Sequence, residues 1–149
     1  MMAVSVLSAA RRVCEQSDWT FTNLQLQKIL YLAHMMHMGE HNGQQLINGS
    51  FEAWDYGPVQ PNVYRCVSLF GRRPIQDVFG AVADISGTSE ADTIDQCVAA
   101  LRNKTASELV SITHWENGAW ARHYTPELRG SVIDDADILE EYRARANAT

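Results

Sequence analysis

Between Thr22 and Gly39 the chain carries a helix with almost no polar side. Leu24, Leu26, Ile29, Leu30, Tyr31, Leu32, Ala33, Met35, Met36 and Met38 fall nearly all round a 3.6-residue period. A helix of that kind has no face to offer to water, so it belongs in the middle of a bundle with other elements packed round it. Its start is written as plainly. Thr22 is a good N-cap, and Gln25, three residues on, completes a capping box. Phe21 before the cap and Leu26 beyond it suit a hydrophobic staple. Gly39 and the loop His41-Asn42-Gly43 stop the helix.

The rest of the chain is read as what surrounds this helix. Residues 4–16 read as a first helix with Val6, Ala9, Ala10 and Val13 on its apolar face. Ser17-Asp18 ends it, and Trp19 packs beneath the connection. Phe51 to Tyr56 alternates like a short strand, with Phe51 and Ala53 to one side and Trp54 and Tyr56 to the other. Gly57-Pro58 is a strong turn signal and sets a corner there. Pro61 suits the first position of a third helix, where its missing N–H costs nothing, and Val63, Tyr64, Val67 and Phe70 follow at helical spacing. Gly71-Arg-Arg-Pro74 makes a turn. Residues 75–86 have no firm period and fit either a short strand at Val78-Phe79 or an extended loop.

Further on, Thr88 or Ser89 caps a long helix carrying Ile94, Cys97, Val98 and Leu101 at one face. Thr105 and Glu108 form a second capping box. Residues 113–120 read as an irregular, aromatic-rich cover. Residues 135–145 form a last helix, with acids at its start and Arg143 and Arg145 at its end to suit the dipole. The segment from Arg143 to Thr149 reads as a frayed tail. The expected fold is mainly α: five to six helices round a buried central one, with at most a small β element. The expected organisation is a single domain over residues 1–149, with an ordered core of about 5–145.

Charge narrows the functional classes. The 149 residues carry a net charge of −6, which argues against a nucleic-acid backbone as the main partner. Residues 1–75 hold six Lys/Arg and five Asp/Glu, whereas residues 76–149 hold six and thirteen. The acidic half is read as a solvated surface or as a face that attracts a basic protein. Cys14, Cys66 and Cys97 are odd in number and lack any CxxC spacing, which fits the reducing cytoplasm. No apolar run reaches a membrane span and no signal-peptide pattern stands at the N-terminus.

Candidate chemistry is sparse. His34, His37 and His41 share a helical face, and His114 and His123 are further candidates for a metal site. No HExxH motif or cysteine pair supports one, and the alternative is a helix end exposed to water. Each cysteine lies in an apolar helical pattern and reads as a small buried hydrophobe. Asp134, Asp135 and Asp137 fit helix capping, and no GxGxxG or GxxxxGK[ST] phosphate loop occurs. The residues argue against an enzyme and against a bound cofactor.

Four ordered stretches carry a resemblance. They are Gln27-Lys-Ile-Leu-Tyr-Leu-Ala33, Phe51-Glu-Ala-Trp-Asp-Tyr-Gly-Pro-Val59, Pro61-x-x-Tyr64, and Thr113-His-Trp-Glu-x-x-x-Trp120. Together they resemble the Panacea domain family of SocA-like antitoxins and GepA-like phage-associated proteins. The residues matching its motifs are Gln27, Lys28, Tyr31, Trp54, Tyr56, Gly57, Pro58, Val59, Tyr64, Thr113, His114 and Trp120. Ile112, Ala119 and the methionines Met35, Met36 and Met38 depart from the family pattern. The resemblance implies a protein that binds and neutralises a cognate protein toxin, either by blocking it or as an adaptor that hands it to a protease. Two other roles stay open: a metal-dependent enzyme using the histidines, and a phage protein with a host target.

The expected toxin contact comprises Trp54, Asp55, Tyr56 and Tyr64, joined by exposed positions of the central helix such as Lys28. Trp and Tyr are the types most enriched in binding hot spots. Equally, Trp54 and Tyr56 fit core positions that lock the strand against the helices.

Overall fold

The apolar helix does run through the middle. In the computed structural model, which describes residues 3–128 and 130–147, it is α2 (Asn23–Glu40). Around it pack α1 (Val6–Gln16), α3 (Pro61–Val67), α4 (Ser89–Leu101), α5 (Ala106–Thr113) and α7 (Asp135–Asn147). Leu26, Ile29, Leu30, Tyr31 and Ala33 are wholly buried. The capping box at Thr22 and Gln25 forms with both of its hydrogen bonds. A short helix, α6 (Ala119–His123), and a 3-10 turn (Ser68–Phe70) complete the helical part. The fold is mainly α, as expected, and the segment 113–120 is irregular from His114 to Gly118, between the end of α5 at Thr113 and the start of α6 at Ala119.

A small antiparallel sheet lies against this bundle. Its strands are β1 (Phe51–Trp54), β2 (Gly57–Val59) and β3 (Ser131–Ile133), in the order β2-β1-β3. Alternation sends Phe51 and Ala53 into the core and leaves Trp54 half-buried. The corner is displaced from its expected place. Trp54 pairs with Gly57 and Ala53 with Pro58, so the turn is Asp55-Tyr56, and Gly57-Pro58 opens the returning strand. Gly57 has φ +112°, and a Cβ there would lie 3.0 Å from Lys28 Cε and 3.1 Å from Thr113 Oγ1. Glycine is needed for both the backbone conformation and the close approach.

Other differences have local causes. The first helix starts at Val6, because Val4 instead bridges Ile47 and Ser5 takes the N-cap, accepting from Ser8 N–H at 3.1 Å. Gly39 does not end α2 but sits in its last turn, where the missing side chain admits the ring of Tyr142 from α7. Residues 75–86 form an extended loop, pinned by buried Ile75, Phe79 and Ile85. The expected frayed tail is helical through Asn147, and Ala148 and Thr149 lie outside the described residues. No helix among the described residues is long and apolar enough to cross a membrane.

The bundle also contains a buried ionic node. Glu141 of α7 is 1% exposed. Its Oε1 accepts from Tyr31 O–H at 2.7 Å and from Ala119 N–H at 2.9 Å. Its Oε2 accepts from Arg145 Nε at 2.8 Å. Arg145 also donates to Ile112 O and lies over the Trp115 ring. Burial and the neighbouring carboxylate push the Tyr31 hydroxyl pKa up, so it stays a donor.

Candidate functional site

The sequence stretches that resemble the family meet at the β1–β2 hairpin. Lys28 Nζ donates to Pro58 O at 2.9 Å. Gln27 Oε1, on the same helix, accepts from Gln60 N–H at 2.7 Å, and Gln60 in turn caps α3 through Val63 N–H. Trp120 Nε1 donates to Trp54 O at 2.8 Å. His114 stacks on Trp120 with ring centroids 3.8 Å apart and hydrogen-bonds the backbone of Tyr56. Thr113, fully buried, packs under Gly57 and donates its own hydroxyl to Leu109 O. Tyr31 belongs elsewhere, to the Glu141 node. The hairpin backbone is therefore held by side chains from α2, from His114 just past the end of α5, and from α6.

The side chains of its turn line a cleft of about 390 Å³ between the hairpin, α2 and α3. Tyr56 is 69% exposed at the tip and Tyr64 is 37% exposed. Tyr56 is thus not a core residue. Trp54 is intermediate: its ring meets Tyr64 at 4.8 Å and its Nε1 donates to Glu52. Asp55 is exposed and accepts from Tyr124 O–H at 2.6 Å. Arg72, which the sequence reading did not single out, stands exposed at the rim.

Lys28 corrects an expectation. Read as an exposed position of the central helix, it is 0% exposed and forms part of the cleft floor. The hairpin covers it, and a helix with apolar residues on all sides gives no periodic signal for that. Burial pushes its ammonium down to about 7. Burial, and then the charge of Lys28, push the His114 ring pKa down in turn, against the opposing effect of its hydrogen bond to Tyr56. The His114 Nε2 atom is buried with no hydrogen-bond partner among the described residues.

The metal candidates are spoken for by other contacts. His34 and His37 are fully buried rather than set on a wet helix end. His34 faces Asp135 at 3.0 Å and its Nδ1 accepts from Ile47 N–H. The His37 nitrogens face Gln44 O and Ser89 Oγ, and His41 stacks on the His37 ring. A different trio, His123, Asp134 and Asp137, places ligand atoms within 4.8 Å of one another. There His123 and Arg122 already occupy the two oxygens of Asp137. Cys14 and Cys97 are buried thiols, each pushed up to about 12 by burial, and behave as small hydrophobes.

Comparison with known proteins agrees with this convergence. The family model described as antitoxin SocA-like, Panacea domain, matches residues 26–121. That span takes in most of the central helix, the hairpin, α3 and the His114–Trp120 stack. The chain is 36% identical over 113 residues to Antitoxin SocA of Caulobacter vibrioides (strain NA1000 / CB15N), covering 69% of this chain and 60% of that protein. It thus spans less than two thirds of the relative's length. No solved structure matches. The clamped hairpin, the motifs that clamp it and these two matches place the chain in the family of SocA-like antitoxins with a Panacea domain.

Proposed function

We propose that this protein is an antitoxin, a single domain over residues 1–149 that neutralises a cognate protein toxin by direct binding and not by turnover. The observation that carries the reading is the hairpin. The family-matching residues Lys28, His114 and Trp120 hold its backbone, and its turn presents Tyr56 to solvent beside Trp54 and Tyr64. An aromatic tip on a fixed backbone has little entropy left to lose on binding, and Tyr and Trp dominate binding hot spots. The toxin contact proposed is Trp54, Asp55, Tyr56 and Tyr64. Three free thiols, two of them buried, suit a protein that works in the cytoplasm.

The test begins with the neighbouring open reading frame. Its product, expressed alone, should arrest growth, and co-expression of this chain should restore it. Tyr56→Ala and Asp55→Lys should then fold but bind the toxin more weakly. Toxin levels in the same cells separate blocking, which leaves the toxin intact, from delivery to a protease, which depletes it. Folded variants that neutralise as well as the parent would remove the hairpin from the interface. A neighbour that is harmless to growth would remove the antitoxin reading.

A further inference from the structure

We propose that an acidic segment of the bound toxin lies in a groove across the hairpin tip, with an apolar side chain against Leu24 and its carboxylates facing Arg72. The toxin as partner rests on the antitoxin reading. The cleft between the hairpin, α2 and α3 is not isolated. A second hollow of about 440 Å³ adjoins it, and Leu24, Tyr56, Gly71 and Arg72 line both. Trp54 and Tyr64 stand in one part of the combined groove and Ala106 in the other. Tyr56, Tyr64 and Arg72 are exposed and Leu24 is half-buried, so a partner can reach all four. An open lining of Leu, Trp and Tyr suits an apolar anchor.

The charge beside the groove gives the sign of the partner. The guanidinium groups of Arg12, Arg102, Arg122 and Arg145 each meet a carboxylate within the chain. Arg65, Arg72 and Arg73 are exposed, and none of them meets a carboxylate among the described residues. Arg72 lines the groove, Arg73 follows it, and Arg65 follows Tyr64 on α3. Arg73 donates to the carbonyls of Leu69 and Phe70. One exposed arginine is ordinary. Three beside an apolar groove, on a chain of net charge −6, give that groove the opposite sign to the whole. The nearby acids are engaged. Asp55 accepts from Tyr124 O–H at 2.6 Å, so Asp55→Lys acts by releasing the hairpin tip. Glu108, two residues beyond Ala106, accepts from Thr105 N–H and is offset by Lys104. Lys28, buried beneath the hairpin, takes no part.

The probes are the capped peptide Glu-Glu-Leu-Phe-Glu-Glu and its neutral counterpart Gln-Gln-Leu-Phe-Gln-Gln, each titrated into the ¹⁵N-labelled full chain at low ionic strength. The acidic peptide should give saturable shifts at the amides of Leu24, Tyr56, Gly71 and Arg72, and the neutral one should bind about tenfold more weakly. Added salt should weaken the acidic peptide and leave the neutral one nearly unchanged. Arg72→Glu alters an exposed side chain, so the variant should fold as the parent does, and it should abolish the preference. Equal binding of the two peptides, binding by neither, shifts confined to another surface, or a preference that survives in Arg72→Glu would overturn the acidic-segment site.

Toxin neutralisation supplies the separate arm. Arg72→Glu should weaken toxin binding about tenfold, and loss of neutralisation in that variant would support the proposal. A folded Arg72→Glu chain that neutralises as well as the parent would overturn it, while impairment in Tyr56→Ala would leave the antitoxin reading standing.

Discussion

Glu141 of α7 and Lys28 of α2 are both ionisable side chains buried in the bundle, and they are treated in opposite ways. Glu141 is enclosed by two neutral donors and one guanidinium, with both oxygens used. Lys28 has one carbonyl. A buried ion with complete hydrogen bonding is a fixed structural joint, and removing it strands its partners. A buried ion left nearly alone is a standing cost unless something else meets it. The difference separates a group that holds α7 and α6 to the central helix from one that the fold tolerates for another reason.

The contrast can be broken at its strong end first. Glu141→Ala should destabilise the protein by about 3–5 kcal/mol in a denaturant melt, since Tyr31 O–H and Arg145 are left without their acceptor. A loss under about 1 kcal/mol would show that the node is not a joint. Leu30→Ala, an apolar truncation on the same helix, should cost about 2–5 kcal/mol and gives the scale for a purely hydrophobic contribution.

Lys28→Met should act with the other sign, stabilising by up to about 1–4 kcal/mol at or below neutral pH, because it replaces a lone buried charge with an apolar chain of similar length. The pH dependence sharpens this. The folded-state value of about 7 lies below the ordinary 10.5 of lysine. Between those values the unfolded chain binds more protons than the folded one. The stability contributed by this group therefore rises with pH across that window, after being lowest below pH 7. The advantage of Lys28→Met over the parent should shrink as pH climbs from 7 towards 10.5. Chemical denaturation of both chains across that range measures it, and a constant gap would mean that Lys28 titrates normally. The smallest stability effect belongs to Tyr56→Ala, within about 0.5 kcal/mol, since the side chain is mostly in water.

What the sequence made legible was what is local. The boxes at Thr22–Gln25 and Thr105–Glu108 are read within four residues and form as expected. The central helix declares itself by the lack of a polar side. The hairpin residues were legible as a group, although their geometry was not. Gly57 signals a positive φ, but that conformation opens a strand over Lys28 instead of making the corner. The burial of Lys28, His34 and His37 is decided by segments that cover them from far along the chain. Lys28 lies under Pro58, His34 meets Asp135, and His37 meets Ser89. No periodicity within α2 records those neighbours, and nothing near Glu141 in sequence announces Tyr31.

The central position of α2 has a consequence during synthesis. Tyr31 and Glu141 are 110 residues apart. At about 5–20 residues per second, roughly 5–20 s pass between the ribosome's addition of one and of the other. For that interval a strongly apolar helix is already made while α7, which closes one side of it, is not. Newly made chains must survive chaperones and proteases in that unfinished form. The steady-state amount of this protein therefore depends on elongation speed as well as on the stability of the finished fold, and ribosomal pausing between α5 and α7 should lower its yield more than an equal pause before α2.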